Sequence, residues 1–498
     1  MESSIAFKTS GRTWAYPPRC NKAIPTSIRS VFLDNNSKRE ELAPCADMML
    51  NRRPYGMDSP QPPSQWEKSV KAQSENSIKE VIITPLVPVP VVEDVMDGGR
   101  LAWCTVIGGF LTIASTFGYA NSFGVYQDFY TRSRTASASA ISWVGSMQIF
   151  FIFAMSLPAG KLLDMGYFRI TTMVRTFIYV FSLFMVSICE SNKYYQIYLA
   201  QGLGMGIGAG LLYLPSITVQ SHHWRDRQAF AMGIVAAGTS FGSIMFPIVL
   251  NELIKSSLGF RWGVRVSAFM VLVMMLAANV LMTSKKKLGS KNTTEETPKF
   301  NIKGIMHDLP FITSIICLFF GNWGIFFPYF YIQLFAIVHG LNRTTVFYLI
   351  AILNASAILG RILPNMLADR LGPNTVIVPT VTSCAVLVYG LLGISTILGM
   401  IIFVILYGFM SGAALSLSPP CFAALARHPS EVGVRFGIAF SLAAFGALIG
   451  NPITGELLGP NFTWNKPIIV SAVAFTASSI FIIISRQILV KRKGTQWV

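Results

Sequence analysis

Charged residues are scarce in this 498-residue chain, at 13% of positions against 52% apolar. A soluble domain carries roughly 25% charge, and the mean hydropathy of +0.52 excludes a string of soluble domains. Acidic residues are scarcer still, 23 against 40 basic, for a net charge of +17. Residues 1–96 are almost balanced, with 12 Lys and Arg against 11 Asp and Glu, so the excess lies in the apolar remainder. There the basic residues sit between apolar runs rather than on one face, which argues against a nucleic-acid partner. Cysteines number only seven, scattered from Cys20 to Cys421 without a Cys-x-x-Cys pair. They read as small buried hydrophobes, not as a disulfide framework or a zinc site. The apolar runs hold no Ser–His–Asp set, metal-ligand cluster or paired carboxylates, so no enzyme is expected. His222-His223 lacks further ligand partners and reads as an interface anchor. No apolar h-region marks the first 25 residues as a signal peptide.

What is present is length in the apolar runs. Six occur near 101–126, 140–160, 171–189, 197–219, 229–250 and 262–283, and six more near 310–338, 346–367, 376–394, 398–419, 436–457 and 467–489. Each can cross the roughly 30 Å of a bilayer core as a helix. The expected fold is an all-α membrane protein of about twelve transmembrane helices in two six-helix pseudo-repeats. A disordered cytoplasmic tail is expected over 1–96, rich in Ser, Pro, Asn and charge. The bundles then cover 97–283 and 309–490, around a polar central loop at 284–308 and before a short tail at 491–498. Basic residues concentrate in alternate connections, among them Lys161 and Arg169, Arg225 and Arg227, Lys285-Lys286-Lys287, Arg370, Arg427 and Arg435, and Lys491-Arg492-Lys493. The positive-inside rule therefore puts both termini and the central loop in the cytoplasm, and a multi-pass plasma-membrane protein is expected. The sequons at Asn342 and Asn461 then face outward as glycosylation candidates.

The halves echo each other at a fixed offset. Asp164 recurs as Asp369, Pro215 as Pro420 and Pro247 as Pro452, each 205 residues on. Phe241-Gly242 returns as Phe445-Gly446, and Glu252 as Glu456, 204 residues on. Duplication with a site at the interface of the halves is a transporter architecture.

Two stretches then carry a family resemblance. Gly160-Lys161-Leu162-Leu163-Asp164 with Arg169, and Leu367-Ala368-Asp369-Arg370-Leu371-Gly372, resemble the cytoplasmic signature of the major facilitator superfamily. Within it, Asp97-Gly98-Gly99-Arg100-Leu101-Ala102-Trp103 and the stretch from Arg227 to Gly238 resemble motifs of the monocarboxylate transporter family. Leu211-Leu212-Tyr213-Leu214-Pro215-Ser216 and Ser356-Ala357-Ile358-Leu359-Gly360-Arg361-Ile362-Leu363-Pro364 look like its fungal branch. The likeness covers roughly 97–490. It implies a secondary transporter working by alternating access, with Asp164, Arg169, Asp369 and Arg370 as gating residues. Animal lactate transporters place a lysine in the first helix and an aspartate four residues before an arginine in the eighth. Here Asn121 and Ala357 stand at the lysine and aspartate positions, and only Arg361 remains, which argues against lactate-like proton symport.

Arg361 is the leading substrate-binding candidate, since a charge inside a membrane helix is costly and faces a cavity or a partner. Its planar fork suits a carboxylate. Asn121 and Asn354 are expected hydrogen-bonding groups, and Tyr126, Tyr213, Phe327 and Tyr329 offer faces for a planar ligand. The expected cargo is a small organic metabolite, anionic in the leading reading, either a monocarboxylate or a product of fungal secondary metabolism. No cofactor or metal is expected, and proton coupling stays an expectation to test. A transport-like sensor signalling through the tail is the alternative.

Overall fold

The computed structural model describes residues 98–164, 168–190, 192–284, 302–338, 343–394, 396–426, 431–458 and 463–498. The expected tail 1–96, most of the central loop, Asn342 and Asn461 lie outside them. Among the described residues there is no strand, and twelve helices are long and apolar enough to cross a membrane. They are α1 Arg100–Arg132, α2 Ala140–Leu163, α3 Phe168–Ile188, α4 Tyr194–His222, α5 Gln228–Lys255, α6 Gly259–Leu281, α7 Leu309–Val338, α8 Tyr348–Leu371, α9 Pro373–Gly393, α10 Ile397–Leu425, α11 Val432–Leu458 and α12 Asn465–Lys493. Lipid offers backbone groups no partners, so an apolar run of this length satisfies them internally as helix. The shortest span has 21 residues, about 31 Å at the helical rise, enough for the hydrocarbon core. Several spans outrun the apolar runs, as α10 does by reaching Leu425. Helix ends project beyond the hydrocarbon, where hydropathy no longer marks them.

Glycine sets how closely these helices approach. In α4 the alternating glycines form two interleaved stripes, each with a spacing of four. Gly206 and Gly210 press on Phe151 and its neighbours in α2, while Gly204 and Gly208 press on Ser182 and Tyr179 in α3. The series is thus a packing device, as small residues spaced by four often are in membranes. The duplication extends to such contacts. A methyl on Gly242 of α5 would strike the Ala114 carbonyl of α1, and one on Gly446 of α11 would strike the Phe319 carbonyl of α7. The glycines in these two contacts are again 204 residues apart, and the carbonyls 205.

The same end of each half is tied differently. In the first, Trp103 and Trp224 meet edge to face at 5.3 Å. His222 Nδ1 lies 3.1 Å from Ser284 Oγ, and His223 Nε2 lies 2.8 Å from the Thr283 carbonyl, joining the end of α4 to the exit of α6. In the second half the tie is ionic. Asp308, just before α7, pairs with Arg435 of α11 at 3.1 Å and with Arg492 of α12 at 2.9 Å. Arg435 also reaches Glu431 at 3.2 Å. Arg435, expected among loop charges, is instead 1% exposed inside α11.

Candidate functional site

The two halves meet along two seams, α5 on α8 and α2 on α11. In the first, Gly233 of α5 lies so close to α8 that a Cβ would strike the Arg361 carbonyl and the Asn365 side chain. In the second, a Cβ on Gly437 of α11 would lie 3.0 Å from the Ser156 carbonyl and 2.7 Å from Leu157 Cα. Gly233 and Gly437 are 204 residues apart, and Ser156 and Arg361 are 205 apart, so the seams are pseudo-equivalent. Ser441 adds to the second, accepting from the Leu157 amide at 3.3 Å and donating to the Ala154 carbonyl at 2.8 Å. Phe153 and Phe440 face each other across it at 5.9 Å.

Asp369 closes the end of the first seam. Its carboxylate accepts from the Ala229 and Phe230 amides at 2.8 and 3.0 Å. Those amides belong to the first turn of α5, where N–H groups have no intrahelical acceptor and the helix dipole favours an anion. A side chain of one half thus caps a helix of the other. Asp164, its counterpart, ends a helix running Ser156–Asp164, and its side chain is outside the described residues. Arg169 and Arg370 are both exposed.

At the opposite end the halves part. A cavity of about 460 Å³ opens between Phe123 and Gln127 of α1, Trp143 and Ser146 of α2, Tyr331 of α7 and Glu456 of α11. Glu456 is the only charged residue in its lining among the described residues. The described structure is therefore shut at the Asp369 end and open at the other.

Arg361 sits at the closed seam, 4% exposed. Its Nη1 donates to the Ala236 carbonyl of α5 at 2.6 Å, and its Nε has no hydrogen-bond partner among the described residues. Tyr213 and Tyr329 are the phenols that act on it electrostatically. Tyr329 also meets Ser411 of α10 at 3.2 Å. Tyr213 stands edge-on to Phe117 and Phe153, with Phe440 beyond at 6.4 Å. Of the residues singled out in the sequence, Arg361, Tyr213 and Tyr329 are thus brought together. The others lie elsewhere. Asn121 donates to Ser243 at 2.8 Å within the first half, and Asn354 to the Ile350 carbonyl of its own helix at 3.0 Å. Tyr126 packs with Tyr119, Tyr130 and Phe260 between α1 and α6. Phe327 stacks on Tyr331 at 5.6 Å, behind the open cavity. Sequence reasoning missed Ala236, whose contribution is a backbone carbonyl, and Glu456 as a cavity residue, although the 204-residue echo had marked it.

A duplicated twelve-helix bundle, shut at one end and open at the other about a buried polar centre, defines a membrane transporter of the alternating-access kind. Residues 107–450 match the Major Facilitator Superfamily model. The chain belongs to that family; it is a transporter and not an enzyme. It is 36% identical to the aspyridones efflux protein apdF of Emericella nidulans over 77% of each chain. It is also 36% identical to the MFS-type transporter hasB of Aspergillus fumigatus, over 80% of this chain and 90% of that one. Among solved structures, the Escherichia coli fucose:proton symporter FucP shares the fold, with a TM-score of 0.58 at 15% identity over 78% of this chain and 99% of that one.

Proposed function

We propose that this transporter exports a small anionic product of fungal secondary metabolism across the plasma membrane, and that it belongs to the fungal branch of the monocarboxylate transporter family. Arg361 carries the anionic reading: a buried guanidinium between the halves, flanked by two phenols, with no carboxylate paired to it among the described residues. The likeness to an aspyridones efflux protein supports a secondary metabolite and the outward direction. Basic connections support a cytoplasmic Asp369 end, both termini and the 284–308 loop with it, and sequons at Asn342 and Asn461 outside. In that orientation the described state is closed to the cytoplasm and open outward.

Alternating access then needs the glycine-lined seams to part at the Asp369 end while the cavity at Glu456 closes. Asp369 with Arg370, and Asp164 with Arg169, serve this cytoplasmic gate, while Tyr213 and Tyr329 frame the cargo beside Arg361. Proton coupling through a first-helix lysine and an eighth-helix aspartate has no groups here. Asn121 is bonded to Ser243, and Ala357 is wholly buried against Gly412 of α10. The test is accumulation of candidate organic acids by inside-out vesicles, with and without a pH gradient. Wild-type protein should take up an acid and well-expressed Arg361→Ala should not. Wild-type rates in Arg361→Ala would remove the anionic cargo. Labelling the 284–308 loop from outside intact cells should fail, and success would invert the orientation.

A further inference from the structure

The two seams share one glycine contact and differ at Arg361. Its pseudo-equivalent is Ser156, and the contact that places it recurs, Gly233 on the Arg361 carbonyl and Gly437 on the Ser156 carbonyl. The second seam closes with a serine whose hydroxyl makes no hydrogen bond among the described residues, so closure by itself requires no arginine. The arginine is an addition to one seam, and it reaches across to the other half.

We propose that Arg361 exchanges acceptors during the cycle: the Ala236 carbonyl while the cytoplasmic side is shut, and the acidic group of the cargo when it opens. Cargo loading and gate opening then compete for one guanidinium. This rests on the anionic-cargo reading and adds a coupling to it. Three observations carry it. The acceptor lies on α5 and the donor on α8, so any motion that parts the halves withdraws the carbonyl from Nη1. The carbonyl is a neutral, single-point acceptor that leaves Nε unmet, whereas a carboxylate takes two parallel charge-assisted bonds and is the stronger partner. And the guanidinium, at 4% exposure, is not in the lining of the outward cavity.

The consequence is directional. An anion arriving from the cytoplasm binds only the opened form and by linkage favours it. On closing, Ala236 reclaims Nη1 and the anion loses its counter-charge as the outer cavity takes over. Among its described lining residues that cavity offers only the carboxylate of Glu456 as a charge, which repels an anion. Loading is favoured inside and release outside, without a difference in the cargo itself.

The experiment places a single reporter thiol, Ser441→Cys, on the other seam in a chain lacking its native cysteines. Its reaction with a membrane-impermeant maleimide is followed from the cytoplasmic face of reconstituted vesicles. Removing the tie in Arg361→Ala should raise the resting labelling rate on the order of tenfold, the weight of one hydrogen bond to a charged group. Benzoate and 2-naphthoate should accelerate labelling with Arg361 present and leave Arg361→Ala unaffected, while uncharged benzamide should do nothing. Arg361→Lys, which keeps the charge and a donor, should label slowly at rest and respond weakly; the wild-type arm needs no substitution at 361. An unchanged resting rate in Arg361→Ala overturns the exchange, even where that variant has lost anion efflux and the anionic reading stands. A raised resting rate with no response of the wild type to either acid overturns the exchange together with the anionic cargo.

Discussion

At the residue scale, the charges that hold the protein together are those that composition hides. Asp308 and Arg435 pair with side chains 1% and 2% exposed. The Arg435 guanidinium also lies 5.3 Å from the Phe311 ring. In sequence they stand at the edges of apolar runs and look like loop charges, because hydropathy averages over a window and cannot see which way a helix end is turned. Removing Asp308 leaves the buried Arg435 with Glu431 alone, a loss of up to about 3–5 kcal/mol. Asp308→Ala should therefore lower the melting temperature in detergent sharply. Asp308→Leu with Arg435→Met should recover most of it, since apolar replacement of a whole buried pair is often neutral. A single variant that melts like wild type would make the pair dispensable. Asp369 differs, because it holds one half to the other. Asp369→Ala gives up a cap of about 1 kcal/mol and should speed cytoplasmic labelling of Ser441→Cys while changing stability little. Unaltered labelling would deny it a gating role.

At the element scale, the twelve helices were legible and their pairing was not. The apolar runs located the spans because length and backbone satisfaction decide membrane helices. Most spans are apolar on nearly every side, so no stripe shows which face meets which neighbour. The glycines partly fill that gap. Those of α4 show their packing role in their alternation along the sequence, but Gly233 and Gly437 stand out only once the seams are seen. Gly437→Leu should wedge α11 off α2, hold that seam apart and abolish transport without loss of insertion; transport at the wild-type rate would contradict a closing seam. The segment after α12 escaped the sequence altogether. It turns back at Gly494, φ 67°, and buries Val498 against Gly372, φ 81°. The Thr375 amide donates to the Val498 carbonyl at 3.1 Å, and Arg486 Nη2 donates to that of Gln496, also at 3.1 Å. Val498→Asp should cost about 1–2 kcal/mol from lost burial and an added charge, visible as a lower melting temperature. An unchanged melt would mean that the segment rests on the helices without holding them.

At the scale of the whole molecule, the duplication is visible in five residue echoes and reappears in the contacts of Gly242 and Gly446 and of Gly233 and Gly437. The copies differ at Arg361 against Ser156, and at an ionic tie on Asp308 against the Trp103–Trp224 pair. The sequence marked Arg361 because charge in an apolar run is conspicuous. It could not mark Ala236, since every residue carries a carbonyl and only the approach of two halves selects one. The last prediction follows from that approach. If the seams open and close in each cycle, cysteines in Ala154→Cys with Ser441→Cys, at positions joined by a 2.8 Å hydrogen bond across the α2–α11 seam, can be bridged by oxidation or a short crosslinker. Bridging should stop transport and reduction should restore it, since two rigid halves cannot open the centre at the Asp369 end with one seam pinned. The bridged protein should keep its wild-type melting temperature or exceed it, which separates an arrested cycle from a damaged fold. Full transport by the bridged form would mean that opening at the Asp369 end does not pass through this seam.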